Sequence, residues 1–313
     1  MAFTPPKETY SGKIYPVNIG TAPDEIAFGG ENVLPFHAFE GTFPNRPVIA
    51  YEVNDIPPVD WPETVRKPFE PVSSDPVSWA RFCQDSLGAK ALALRLLGTH
   101  PDGKDRTPDE AAKTVKDILA SINVPLIILG SNHAEKDAAV LVAVAEAAKD
   151  KNCIIGKAQE ANYKTIVAAA MANNLKLIAM SELDINLSKQ LNILITQMGF
   201  DKERIITDPM CSALGYGLEY TYSVMERIRL AALTQNDTTM QPPMLGDVGM
   251  YVWKIKETQA SAEDVPEWGA LEERGILWEA ITASALLIAG AELLIMRHPK
   301  AVAAVEKFIE ELT

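Results

Sequence analysis

The chain has 313 residues, 47% of them hydrophobic and 23% charged, the balance of a folded globular protein rather than a disordered one, and one that supports a core without disulfide staples. A formal net charge of -13 repels phosphate backbones and argues against general nucleic-acid binding. The three cysteines, Cys83, Cys153 and Cys211, stand far apart with no CxxC pair, so neither a zinc ribbon nor an iron–sulfur loop can be built locally.

The opening run Met1–Lys7 lacks the apolar core of a leader peptide, which points to a cytoplasmic protein. Up to Pro76 the chain is rich in proline, glycine and aromatics. Pro57, Pro58, Pro62, Pro68 and Pro71 argue against long helices there. Residues 1–46 are read as a loop-rich N-terminal extension of loops or a hairpin, and residues 47–313 as the main domain. The first buried strand is Val48–Val53. Further short apolar runs follow at Ala91–Leu96, Leu126–Leu129, Cys153–Gly156, Leu177–Met180, Arg204–Asp208, Pro243–Asp247 and Glu292–Arg297.

Unbroken apolar runs with polar ends are what parallel strands buried on both faces look like. Helical patterns lie between them. Thr107-Pro108-Asp109-Glu110 is a start signal, with Thr as the cap, Pro at the first position and acids in the first turn. Ala134–Lys149, Tyr163–Asn173, Leu187–Met198, Leu218–Leu233, Leu271–Gly290 and Lys300–Leu312 read as helices. The greasiest stretch, Ile276–Met296, carries Glu279 and Glu292 and is broken by Gly290, so it reads as a buried helix running into a buried strand rather than a membrane span. Eight strands alternating with helices predict an α/β fold, a (β/α)8 TIM barrel with an N-terminal loop-rich extension. An open doubly wound sheet is the competing topology.

In such a barrel, ligands meet the C-terminal ends of the strands. The residues there are rich in amides, hydroxyls and glycines that hydrogen-bond a polar ligand. Thr99, Ser131, Asn132, Lys157, Gln159, Asn162, Ser181, Asp208, Gly215, Tyr216, Gly246 and Asp247 are the candidate binding residues. Sharper chemistries find little support. His37, His100, His133 and His298 each stand alone, without metal-ligand spacing. Lys157 is the one strand-borne candidate for a Schiff base, and capping a carboxylate is its simpler role. There is no GxSxG elbow, P-loop or GxGxxG turn, and no catalytic residue is assigned. Gly215-Tyr216-Gly217 follows a strand and opens a helix, so its N–H groups could hold an anion. Asp208 and Asp247 could handle protons. Tyr216, Tyr220 and Tyr222 with Met210, Met225 and Met250 could offer flat apolar surface, with helix core the alternative for the later members.

The segment Thr207–Arg229, with Leu129-Gly130-Ser131-Asn132, Gly156–Tyr163 and Met244–Gly249, resembles the small subunit of the corrinoid iron–sulfur protein, the delta-type subunit of the acetyl-CoA decarbonylase/synthase system. The likeness runs from about Pro47 to the end, and Gly215–Arg229 is its most specific part. The resemblance implies a barrel that pairs with a larger subunit and shares with it a cobalamin-type corrinoid. The larger subunit would carry the 4Fe–4S cluster. A separate methyltransferase would supply a methyl group from methyltetrahydrofolate, and acetyl-CoA synthase would receive it. The chain would then be a methyl carrier without independent catalysis. The DxHxxG corrinoid motif is absent, since no Asp sits two residues before any His. The alternative is a stand-alone, pterin-dependent corrinoid methyltransferase of TIM-barrel fold, using Asn132, Asn162, Asp208 and Asp247.

Overall fold

The computed structural model describes residues 6–313; the Met1–Pro5 part of the opening run lies outside the described residues. Eight parallel strands close into a barrel: β3 (Val48–Asn54), β4 (Ala91–Arg95), β5 (Leu126–Leu129), β6 (Ile154–Ala158), β7 (Lys176–Met180), β8 (Ile205–Asp208), β9 (Met244–Asp247) and β10 (Ala291–Met296), with β10 pairing back to β3. Each run read from the sequence is one of these strands, and the open sheet is ruled out by the closure.

The helices lie outside: α1 (Glu63–Arg66), α2 (Pro76–Leu87), α3 (Pro108–Leu119), α4 (Ala134–Ala147), α5 (Tyr163–Ala172), α6 (Ile185–Gln197), α7 (Leu218–Thr234), α8 (Val248–Val252), α9 (Leu271–Ala289) and α10 (Pro299–Leu312). The start of α3 is a full capping box: Thr107 Oγ1 accepts from Glu110 N, and Glu110 Oε2 accepts from Thr107 N at 2.7 Å. In α9 the apolar run ends at Gly290, whose left-handed φ of 115° stops the helix so that β10 can begin. No helix among the described residues is long and apolar enough to cross a membrane.

Helix α2 begins where the proline-rich region ends and was not assigned from the sequence. Pro76 occupies its first helical position behind the Asp75 cap, where a missing N–H costs nothing. Asp75 Oδ2 accepts from Ser78 N at 2.8 Å.

Side chains alternate along each strand between the barrel interior and the helix layer. Ala50, Ala93, Ile127, Ile154, Ile178, Ile206, Leu245, Leu293 and Ile295 fill the interior, and Val17, Ile19 and Phe28 join them. These last three belong to an antiparallel hairpin in the extension, β1 (Val17–Ile19) with β2 (Ile26–Phe28). The hairpin stoppers the N-terminal end of the barrel. Gly20 N donates to Asn152 O at 3.1 Å, and Tyr15 N donates to Gln241 O at 2.9 Å, both on loops that enter barrel strands. Arg229 adds a buried clamp, pairing with Glu31 of the extension at 3.3 Å and with Glu292 at the start of β10. Packing at this end serves stability, and the C-terminal strand ends are where such barrels meet ligands.

Candidate functional site at the C-terminal mouth of the barrel

The interior positions nearest the strand C-termini are charged. Glu52 on β3, Arg95 on β4, Lys157 on β6, Asp208 on β8, Asp247 on β9 and Arg297 just past β10 form one network, each at most 4% exposed. Arg95 Nη2 lies 3.2 Å from Glu52 Oε2, and Arg297 Nη2 lies 2.7 Å from Glu52 Oε1. Lys157 Nζ bridges Asp247 Oδ2 at 2.6 Å and Asp208 Oδ2 at 2.7 Å. Arg95 Nη2 completes the chain on Asp247. Three carboxylates face three cations, so the layer is electroneutral, as burial requires.

Lys157 reaches the interior through an irregularity. The register of β6 against β7 shifts between Ile155 and Ala158. Gly156 permits the close approach there, since a Cβ on it would meet Ile178 Cβ at 2.7 Å.

The network holds charge rather than moving protons. Burial by itself favours a neutral Asp247, but Arg95 and Lys157 outweigh it and hold the carboxyl below its usual range. Burial likewise opposes the Lys157 ammonium, and Asp208 with Asp247 outweigh that and raise its pKa. A lysine so held is no nucleophile at neutral pH. Cys211, fully buried beside them, is pushed up by burial and by Asp208 and Asp247, so it stays a thiol.

Several polar atoms in this layer have no partner: both amide atoms of Asn54, Nε and Nη1 of Arg95, Nε of Arg297 and the hydroxyl of Ser181. Buried unpaired groups of this kind call for a ligand or ordered water. The Arg297 guanidinium also stacks on Trp61, 4.3 Å from the ring centre.

The other expected residues separate into groups. Ser131 and Asn132 brace the loop after β5: Ser131 N and Oγ each donate to Asp137 Oδ1 at 2.8 Å, and Asn132 N donates to Asp137 Oδ2. Thr99 Oγ1 donates to Leu96 O at 2.8 Å. Asn162 accepts from Gln159 N and donates to Ala134 O, tying two loops together. Gln159 and Ser181 line a groove of about 360 Å3 between the ends of β6 and β7 and helix α6. Gly215 and Tyr216 border a second cleft of about 400 Å3 with Ser212, Tyr251, Lys254 and Lys256, and Tyr216 is 93% exposed. Tyr220 is exposed too, whereas Met225 is buried in the core. Gly246 is a correction to the strand-end reading: it faces the helix layer, where a Cβ would meet Leu294 Cδ2 at 2.7 Å, because its neighbour Asp247 takes the inward position.

His100 and His133 come together at the mouth, ring centres 5.6 Å apart and edge to face. Each Nδ1 accepts a backbone N–H, from Asp102 and from Lys136 at 3.2 Å, which assigns the proton to Nε2. Among the described residues no group of three or more His, Cys, Asp or Glu is arranged to hold a metal ion.

Sequence reasoning placed Asn54 and Arg297 at the strand ends and missed Glu52 and Arg95, which lie one step inside them. The signal was present: the inward register set by Ala50 and by Ala93 runs on to Glu52 and Arg95.

Residues 16–306 match a protein family described as the CO dehydrogenase/acetyl-CoA synthase delta subunit. The acetyl-CoA decarbonylase/synthase complex subunit delta of Methanocaldococcus jannaschii is 35% identical over 99% of this chain and 76% of its own length. That of Archaeoglobus fulgidus is 34% identical over 99% of this chain and 71% of its own length. Solved dihydropteroate synthases share the fold. The Xanthomonas albilineans enzyme with 4-aminobenzoic acid superposes with a TM-score of 0.59 at 14% identity, covering 94% of this chain and 96% of its own. The Coxiella burnetii enzyme with pteroic acid gives 0.57 at 14% identity, covering 87% and 94%. With a family match along nearly its whole length, and relatives at one third identity, the chain belongs to the CO dehydrogenase/acetyl-CoA synthase delta-subunit family.

Proposed function

We propose that this chain is the small subunit of a corrinoid iron–sulfur protein and that its barrel mouth forms one wall of the corrinoid chamber. The corrinoid is of the cobalamin type and is shared with a larger subunit that carries the 4Fe–4S cluster. Its cobalt supplies the methyl-carrying centre between methyltetrahydrofolate, served by a separate methyltransferase, and acetyl-CoA synthase. The chain works in the cytoplasm and performs no independent catalysis.

The observation that carries this reading, beside family membership, is the set of unpartnered buried polar atoms at the mouth: Ser181 Oγ, the Asn54 amide, and Nε and Nη1 of Arg95. They have no hydrogen-bonding partner within the chain, while the charges of the layer already balance one another. A macrocycle fringed with primary amides has the matching chemistry. The chain's own residues would shape the chamber, exclude water and orient the ring edge. Lys157, Asp208 and Asp247 would act from below by fixing the strand ends rather than by touching the reacting atoms.

The stand-alone pterin transferase is not favoured. The family is one of complex subunits. Of the residues counted for a pterin, Asp208 and Asp247 are ion-paired to Lys157, and Asn162 is hydrogen-bonded at both ends of its amide.

The test is to purify the chain with and without the large subunit and record visible spectra. Stoichiometric corrinoid in the complex and little in the isolated chain is the expected result. A complex without corrinoid, or tight binding by the isolated chain, overturns the shared-wall reading.

A further inference from the structure

The groove beside the mouth combines three features. Its floor is apolar, made by Met180, Leu191 and Leu194. Its rim carries Glu160 and Glu182 with the amides of Gln159 and Gln190. Ser181 stands at its inner edge, 5% exposed, with its hydroxyl unpartnered. The position of Ser181 is fixed, because its N–H donates to Asp208 O at 2.9 Å at the end of β8. The inner edge of the groove is therefore tied to the end of β8, the strand that carries Asp208.

We infer that this groove is a subsite for a primary carboxamide on a short apolar stem. The Ser181 hydroxyl can donate to the amide carbonyl. The glutamate carboxylates can accept from the amide N–H groups, and the glutamine side chains can do either. Methylene groups of the stem lie against Met180 and Leu191. An anion of the same shape would meet two carboxylates. A cation would offer no acceptor to the glutamine N–H groups. A primary carboxamide carries a carbonyl acceptor and two N–H donors, and so answers both the donors and the acceptors of the groove.

Resting on the function proposed above, the carboxamide is one of the peripheral amide arms of the corrinoid. That assignment gives the groove a role in setting the rotation of the ring over the mouth.

The experiment titrates the two-subunit complex, stripped of corrinoid, with cobinamide and with its monocarboxylic derivatives, in each of which one arm amide is an acid. Binding is read from the visible spectrum. One derivative is expected to bind at least tenfold more weakly than the parent. The Glu160→Gln/Glu182→Gln variant is expected to recover most of that loss, and Ser181→Ala to weaken the parent several-fold. Circular dichroism checks that each variant is folded. Monocarboxylic derivatives that all bind within twofold of the parent overturn the subsite alone, as does a penalty that the double variant leaves unchanged. Failure of the parent to bind removes the function reading and this subsite with it.

Discussion

Arg95 and Asp247 meet across the barrel interior, with one guanidinium nitrogen 2.9 and 3.1 Å from the two carboxylate oxygens. They come from strands that are not neighbours, so the pair holds the mouth together through its centre. Arg95→Met leaves Asp247 with Lys157 alone and is expected to cost about 3–5 kcal/mol in urea unfolding. Arg95→Met combined with Asp247→Leu leaves two balanced pairs, Glu52 with Arg297 and Lys157 with Asp208. The double variant should be less destabilised than the sum of the single ones. Strict additivity would count against a coupled network. The Asp247 contribution is present above about pH 4, the ordinary carboxylate pKa, and lost as the pH falls below it, because the folded pKa is depressed.

Glu279 on α9 reports on pH in the opposite sense. Its carboxylate accepts from Arg297 N at 2.6 Å and His298 N at 3.0 Å, yet burial pushes its pKa up to about 7. The folded state therefore binds this proton more tightly than the unfolded state, and the stability it confers is lost as the pH rises from about 4.5 to about 7. His298 runs the other way, its pKa lowered to about 4 by burial, so its contribution is present above about 6.5 and lost as the pH falls towards 4. The two trends oppose each other in mildly acid solution. Glu279→Gln removes one of the groups opposing the His298 trend, so stability measured by urea unfolding should rise more steeply, or fall less, with pH between about 4.5 and 6.5 than in the parent. A variant with the parent's pH profile would refute the assignment.

At the other end of the barrel, Phe28 is fully buried in the hairpin stopper. Phe28→Ala is expected to cost about 3–5 kcal/mol through lost contact and the cavity it leaves. Ile26→Ala, at a half-buried position, should cost less. Under conditions where both remain folded, corrinoid uptake by the complex should match the parent, because the stopper and the mouth lie at opposite ends. Reduced uptake by folded Phe28→Ala would show that the ends are coupled.

Tyr216 makes the complementary case. At 93% exposure its replacement by Ala should change stability by no more than about 0.5 kcal/mol. Under the proposed function it should nonetheless weaken corrinoid retention in the complex, measured by the rate of loss on gel filtration. Unchanged retention would remove Tyr216 from the chamber wall.

The barrel was legible because strands buried on both faces leave unbroken apolar runs, and all eight were readable one by one. Which residues stand at the strand ends was legible, but not which way each side chain faces. Gly246 and Asp247 are adjacent in sequence, yet the pleat sends one to the helix layer and the other inward. Glu52 and Arg95 passed as interruptions in apolar runs because their partners are remote: Asp247 lies 152 residues beyond Arg95. Ser131, Thr99 and Asn162 have the side chains of ligand-binding residues, and their use as loop braces depends on contacts that no local spacing specifies. Helix α2 went unassigned although Asp75 and Pro76 carry its start signal, a cap followed by a proline at the first position.

The hairpin stopper also orders events during synthesis. Val17, Ile19 and Phe28 leave the ribosome before any barrel strand, but their socket includes Leu293 and Ile295 of the last one. These apolar residues, made before the barrel strands, are thus among the last to be sheltered, a non-local closure of the kind that slows folding and leaves greasy surface uncovered meanwhile. Growing chains of this protein should depend on a holdase for the hairpin residues until β10 is released.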